Sequence, residues 1–286
     1  LYGRGACDVK GGMASMLTAF ARLCRERPAR CARVVMACTV DEEFTFLGVQ
    51  RLVKDDLTGG TPGPVAAVVA EPTCLDIVDA HKGVARWAIT TAGRACHSSR
   101  PDKGVNAVYR MGRLLPPIED YCRHLSSEAA HPRLGPKTLS VGTIAGGASV
   151  NVVPDGCRID LDRRLLPGED PLDAPKQLEA WLRERVPGTP FDSGKPYLFC
   201  PALPNDRSAT ITAALGQAID AVRGKHAVHA VPYGTDASSF ALAGVPAVVF
   251  GPGDIDQAHT CDEWIETAQL DAAADIYFRL ALSWGR

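Results

Sequence analysis

The chain has 286 residues, of which 46% are hydrophobic and 22% charged, and its formal charge is −2. That length can bury a substantial core and accommodates two domains. The near-neutral balance gives no electrostatic basis for nucleic-acid or membrane-surface binding, and no apolar run approaches the roughly 20 residues that span a bilayer.

The chain opens on LYGRGACDVKGG. Its glycines suggest a dinucleotide loop, but Asp8 stands where G-x-G-x-x-G needs its third glycine, and no strand precedes it, so that reading is rejected. Asp8 instead sits on glycine-rich backbone able to approach a ligand closely. After Gly12 the spacing predicts a helix with Met13, Met16, Leu17, Phe20 and Cys24 on one face, ended by Pro28. Val34 to Val40 has the length and valine content of a strand buried on both faces, and it stops on Asp41, Glu42 and Glu43. Open α/β sheets bind ligands beyond the carboxyl ends of such strands. Adjacent acids raise one another's pKa unless a cation sits among them; a solvated loop opening the next helix is the bland alternative. Phe46 to Leu57 reads as a short helix, TGGTPGP as a loop, and VAAVVA as a second buried strand that also ends on an acid, Glu71.

From about Gly83 the pattern changes. VARWAITTAG reads as an alternating strand, Gly104 to Leu125 as a helix, and TLSVGTIAGG as a strand closing in a glycine turn. CRIDLDRRLL alternates like a sheet with one wet face, Leu172 to Arg185 is helical, and KPYLFC is a last short strand. This is the split βαβ order of ferredoxin-like units, so residues 83–200 are expected to be a domain inserted between 1–82 and 201–286. That sheet lacks the aromatic and basic surface with which such units bind RNA. Thr210 to Val222 and Ser238 to Ala243 follow as helices, then VPAVVF as a third buried strand leading to GPGD and His259.

The ten cysteines form no C-x-x-C pair, and Cys24, Cys38 and Cys157 fall within apolar patterns. They read as small buried hydrophobes in a reducing, cytoplasmic setting.

Strand ends and the glycine loop thus offer Asp8, Glu42, Glu43, Glu71 and His259 together. Carboxylates with an imidazole suit Zn2+, Co2+ or Mn2+. Two ions roughly 3.5–4 Å apart sharing a carboxylate form a common hydrolytic arrangement, and a Glu doublet supplies ligand and base side by side. Singly, each residue would read as a surface acid or a satisfied loop histidine.

GRGACDVKGG, TVDEEFTFLG, AEPT, HKG, AGRACHSSRPDKGVNA, GGASVNVVPD, DRRLLPG, YGTDAS and FGPGDIDQAHTCDEW carry a resemblance over nearly the whole chain. Together they resemble the dinuclear-zinc amidohydrolase and peptidase family of acetylornithine deacetylase, succinyl-diaminopimelate desuccinylase, aminoacylase and carboxypeptidase G. The resemblance implies an α/β fold: a zinc-peptidase-like catalytic domain, its mixed sheet flanked by helices, with an inserted α+β ferredoxin-like lid and dimerisation domain. By it Asp8 bridges two zinc ions, Glu42 is the general base, Glu43 and His259 hold one ion, and Glu71 holds the other. His97 matches a lid histidine that steadies the developing oxyanion in a homodimer; a turn histidine capped by Ser98 and Ser99 is its alternative. Asn151 matches a residue near the substrate, or is a plain turn asparagine. Arg164 matches an arginine gripping a substrate carboxylate, or pairs with Asp160 or Asp162 on the sheet. Gly234, Thr235 and Asp236 match a substrate-side loop, with Asp236 placed to meet a substrate amine. His81-Lys82-Gly83 reads as a hinge, and His124, His131, His226 and His229 as solvated or packed.

The family also carries a His-x-Asp motif before the GRG loop, which this sequence does not include. The chain is therefore expected to be a fragment holding four of five ligands and impaired alone. The implied activity is cleavage of the amide of an N-acyl amino acid by a metal-bridged water. A carboxypeptidase or dipeptidase of the same family, or a truncated non-catalytic relative, is the alternative.

Overall fold

The computed structural model describes residues 1–56 and 65–284. The TGGTPGP loop lies outside the described residues. In chain order the elements are α1 (Gly11–Glu26), α2 (Leu47–Arg51), β1 (Ala67–Val69) and β2 (Ile77–His81), then β3 (Gly83–Ala92), α3 (Ala107–Ser127), β4 (Thr138–Gly146), β5 (Gly156–Leu165), α4 (Ala174–Arg185), β6 (Asp192–Ser193) and β7 (Leu198–Cys200). They continue with α5 (Ala209–Arg223), β8 (Val228–Val231), α6 (Ala237–Leu242), β9 (Ala247–Val249) and α7 (Thr267–Trp284). Two compact units result: one of residues 1–81, 203–231 and 235–286, the other of residues 82–202 and 232–234.

The first unit is built on a four-stranded mixed sheet in the order β1-β9-β2-β8. β1 runs parallel to β9 and β2 parallel to β8, while β2 and β9 meet antiparallel at Val78 and Val249. Leu75, Ile77, Val248 and Phe250 pack with Ile211, Leu215 and Ile219 of α5 and Ala273, Ile276 and Phe278 of α7. Short β-branched strands covered by helical apolar faces give this layering. α7 has no counterpart in the sequence reading, although Leu270, Ala273, Tyr277 and Ala281 recur at helical spacing.

The second unit runs strand, helix, strand, strand, helix, strand, strand. Its sheet has the order β4-β5-β3-β6, with β7 also on β3, and every pairing is antiparallel. Trp87, Ile89, Ile159 and Leu161 pack beneath Met111, Leu114 and Ile118 of α3 and Leu178 and Leu182 of α4. β5 alternates as its sequence predicts. β3 is buried almost throughout.

Three expectations are corrected. Val34 to Val40 forms no strand, and Val34, Val35 and Val40 are exposed. An apolar run becomes a strand only where a neighbour takes up its N–H and C=O groups. β1 stands at the sheet edge and the run does not pair with it. Helix α1 forms, but its buried side is Gly11, Gly12, Ser15 and Ala19, while Met13, Leu17 and Cys24 are exposed. Small residues face α7 because they allow close approach: the Ser15 hydroxyl donates to the Leu270 carbonyl at 2.9 Å. Finally, all ten cysteines are free thiols, but only Cys7, Cys157 and Cys200 are buried; Cys24 and Cys38 are exposed. No helix among the described residues is long and apolar enough to cross a membrane.

Candidate metal centre

Asp8 lies on a tight loop that enters through Gly5, whose φ of 79° is the left-handed region glycine favours. The backbone N–H groups of this loop point inward and need an acceptor. Glu263 supplies it: its carboxylate accepts from Gly5 N at 2.7 Å, Cys7 N at 2.8 Å and Asp8 N at 2.9 Å. Burial works to raise the Glu263 pKa, but these three donors outweigh it and hold the carboxylate below its ordinary value. Gly12 then lets α1 start against the end of β1, where an added Cβ would meet Ala70 Cβ at 3.1 Å.

β1 and β9 run parallel and deliver their carboxyl ends side by side. Glu71 follows β1, and Gly251 follows β9 so closely that a Cβ there would sit 2.6 Å from the Glu71 carbonyl oxygen. Thr73 locks the two ends: its hydroxyl oxygen accepts from Gly251 N at 3.0 Å. Beyond this the chain reaches His259, whose φ of 62° is a left-handed conformation uncommon for a non-glycine residue.

The acidic triplet arrives without a strand. The Asp41 carbonyl accepts from Thr45 N at 3.1 Å and Phe46 N at 2.8 Å, and its side chain binds the Thr45 hydroxyl. Asp41 therefore caps its own turn and does not project into the site. Gly48 packs against the Val40 backbone, where no side chain fits.

These loops bring Asp8, Glu43 and His259 to one point. His259 Nε2 is 3.1 Å from Asp8 Oδ2 and 3.0 Å from Glu43 Oε1, and one ligand atom from each residue lies within 4.8 Å of the others. A single ring nitrogen cannot serve two carboxylates fully, whereas a divalent cation can accept all three donors. Glu42 and Glu71 lie beside them. Burial pushes Glu42 up to about 8, with the charges of Asp236, Glu43 and Asp8 adding to it. Burial likewise raises Glu71 well above the carboxylate range, with Glu42, Asp8, Asp236 and Glu43 contributing. Asp236 is raised to about 6 by burial, partly offset by the Thr39 hydroxyl, which donates to its Oδ2 at 2.8 Å. Buried acids that repel one another around an imidazole form a donor set that positive charge would relieve, so the residues present fit a metal centre.

The remaining candidates divide between the two units. His97 and Asn151 are in the second unit, joined by the bond from Ser98 N to the Asn151 carbonyl at 3.0 Å and the bridge between His97 and Val152. Ser99 N donates to His97 Nδ1 at 3.2 Å, which leaves the ring hydrogen on Nε2. Arg164 also lies there, with its fork on Asp162 at 2.7 and 3.3 Å, and Arg163 is buried against Glu169 at 2.9 Å. Gly234 belongs to the second unit, whereas Thr235 and Asp236 belong to the first. Of the other histidines, His124 stacks on Trp181, His226 pairs with Asp220 and His229 with Asp76, and His131 accepts backbone N–H groups of its own turn. Sequence reasoning gave Glu263, Thr39 and the ring of His81 no part in the site. A glycine loop crowded with unpaired N–H groups was the available signal for Glu263, since such a loop calls for an anion.

Comparison with known proteins agrees with the motif reading. The family model described as Peptidase family M20/M25/M40 matches residues 1–283. An acetylornithine deacetylase from Myxococcus xanthus is 34% identical over 274 residues, covering 94% of this chain and 69% of that protein. Among solved structures, the di-peptidase Dug1p from Saccharomyces cerevisiae aligns with a TM-score of 0.75 at 14% identity, covering 99% of this chain and 72% of its own. A dinuclear metal binding peptidase from the M20 family of Bacillus subtilis aligns with a TM-score of 0.68 at 19% identity, covering 96% and 71%. At these identities the structural likenesses carry the fold alone.

Proposed function

The chain belongs to peptidase family M20/M25/M40, and from that premise we propose that it hydrolyses the amide bond of an N-acyl amino acid, with Glu42 as general base. The observation that carries this reading is the meeting of Asp8 Oδ2 and Glu43 Oε1 on His259 Nε2, with Glu42 half-buried beside them. Asp8, Glu43 and His259 would hold one divalent ion, Zn2+ before Co2+ or Mn2+, and Glu71 with Asp8 a second. The Lewis acidity of such ions lowers the pKa of water and polarises a carbonyl, which these acids cannot do unaided.

Glu42 does the proton work. Burial, with the repulsion of uncompensated acids beside it, raises its pKa to about 8, which keeps it protonated at neutral pH. Positive charge on its neighbours reverses that repulsion, so the same residue takes a proton from the attacking water and returns it to the leaving amine. His97, with its hydrogen on Nε2, is a donor suited to a developing oxyanion, and a homodimer formed through residues 82–202 would present it. We assign Asn151, Arg164, Gly234 and Asp236 to substrate contact, with the fully buried Thr235 shaping the loop that carries the last two. Arg164 would exchange Asp162 for a substrate carboxylate. A cytoplasmic setting, where ten thiols stay reduced, fits the same reading.

The deacetylase reading draws on the names of the curated relatives at about 30% identity. The test is a substrate panel on the zinc-loaded chain: N-acetylornithine, N-succinyl amino acids and dipeptides. Turnover of N-acyl amino acids that falls by about 1000-fold in Glu42→Gln supports it. Turnover of dipeptides alone moves the assignment to a dipeptidase, and undiminished activity in Glu42→Gln removes the proposed base.

A further inference from the structure

His81 closes β2 and is fully buried. Its backbone is fixed on both sides: His81 N donates to the Leu203 carbonyl at 3.2 Å, and Leu203 N donates back at 3.0 Å. In the parallel register of β2 and β8 it sits opposite Val231. With its base so held, the ring reaches one defined place. Nε2 lies 3.1 Å from the hydroxyl oxygen of Thr235, which is also fully buried. That hydroxyl oxygen accepts the Ala237 N–H at 3.2 Å, and the Thr235 carbonyl accepts the Ser238 hydroxyl at 3.2 Å. The turn into α6 is thus set by the Thr235 side chain, and the Thr235 rotamer by His81.

The next residue carries the constraint onward. Asp236 is 7% exposed, and its Oδ2 accepts the Thr39 hydroxyl at 2.8 Å. Thr39 lies on the segment that has no ladder to align it, two residues before the turn that Asp41 caps and three before Glu42. A strand would hold its end by backbone hydrogen bonds. Here a side-chain bond to a buried carboxylate stands in for them. Burying a histidine, a threonine and an aspartate is costly unless their polar atoms find partners. His81 and Thr235 meet each other and Asp236 Oδ2 takes the Thr39 hydroxyl, while Asp236 Oδ1 has no hydrogen-bond partner among the described residues.

We propose that His81 is a positioning residue for the hydrolysis, fixing Glu42 through Thr235, Asp236 and Thr39. The claim rests on Glu42 being the general base, and misplacing such a group by about 1 Å costs on the order of 100-fold in rate. His81 is fully buried and touches neither substrate nor reacting atoms, so its loss acts on catalysis through the DEE turn.

The test compares His81→Leu, His81→Gln, Thr235→Val and the double variant His81→Leu/Thr39→Val in the zinc-loaded and zinc-free full chain. Amide hydrogen exchange is read at Thr45 and Phe46, whose N–H groups bond the Asp41 carbonyl. His81→Leu and Thr235→Val should each raise that exchange about tenfold, with amides of α5 and α7 unchanged. In the zinc-loaded form kcat should fall about tenfold in His81→Leu, and His81→Gln, which can still bond Thr235, should recover most of it. The double variant should be no worse than His81→Leu. Unchanged exchange at Thr45 and Phe46 in both single variants, or additive effects in the double variant, would overturn the proposal. Should the wild-type chain turn over none of the N-acyl substrates, the functional reading fails while the exchange measurement still decides the role of His81.

Discussion

The Asp8 N–H donates to Glu263 Oε1 at 2.9 Å across 255 positions of sequence, and the same carboxylate takes the N–H groups of Gly5 and Cys7. One buried acid therefore shapes the loop that presents Asp8. In Glu263→Gln one oxygen is replaced by a donor that faces donors. The expected loss is roughly 2 kcal/mol, or a fall in melting temperature of roughly 4–8 °C, with zinc affinity weakened in parallel. Calorimetry with a zinc titration checks both, and a variant that melts with the wild type would show that the loop is held by other means.

The meeting of Asp8, Glu43 and His259 predicts which residues depend on one another. His259→Ala, Asp8→Asn and Glu43→Gln should each lower the affinity of the same zinc ion by about 100-fold or more, and pairs of them should add little further. Glu71→Gln should instead act on a second, distinguishable binding event. Calorimetric titration of chelator-stripped protein resolves the two; equal effects of Glu71→Gln and His259→Ala on one common event would merge them into one site.

Much of this was legible in the sequence, for identifiable reasons. Parallel strands rich in β-branched residues deliver whatever follows them to one sheet edge, so Glu71 and the loop to His259 could be placed from AEPT and FGPGD. Glycine-rich backbone before a helix marked Asp8 equally well. The triplet at 41–43 was located for a reason that proved wrong: its apolar lead-in is exposed and unpaired, and Glu42 and Glu43 reach the site because a turn capped by Asp41 aims them. Periodicity reports that a face is apolar but not what covers it, which is why α1 was assigned its larger side chains as core when its small ones face α7. Glu263 and His81 act through contacts between residues far apart in sequence: the glycine loop signals that an anion is wanted but not which one, and local pattern carries no trace of the pairing of His81 with Thr235.

Gly48 gives a direct test of how the triplet is held. A Cβ there would lie 2.2 Å from the Val40 carbonyl oxygen and 2.5 Å from Val40 N, both backbone atoms with no rotamer to yield. Gly48→Ala must displace Val40 and with it the turn that begins at Asp41. A cost of roughly 1–3 kcal/mol is expected, together with a fall in kcat on any substrate the zinc-loaded chain accepts. Gly112, where an added Cβ meets nothing, is the control: Gly112→Ala should leave stability equal or slightly raised.

The buried acids also fix how stability responds to pH, and in a direction opposite to that of salt-bridged carboxylates. Glu42 rises from 4.5 to about 8 and Asp236 from 3.8 to about 6, and Glu71 moves the same way. A carboxyl whose pKa is higher in the folded state binds its proton more tightly there, so its contribution is complete below the ordinary value and is lost as pH climbs through the folded one. The metal-free first unit should therefore lose stability from about pH 5 to pH 8, by roughly 5–10 °C in melting temperature. Glu263, held low by its three N–H donors, acts the other way and weakens only as pH falls through the acid range. Zinc, by supplying the missing positive charge, should flatten or reverse the slope, and Glu42→Gln should reduce it without zinc. Melting curves of chelator-stripped protein across that range decide the matter: a melting temperature that holds or climbs toward pH 8 without metal would mean the acids are already compensated, and the case for cations at this sheet edge would fall with it.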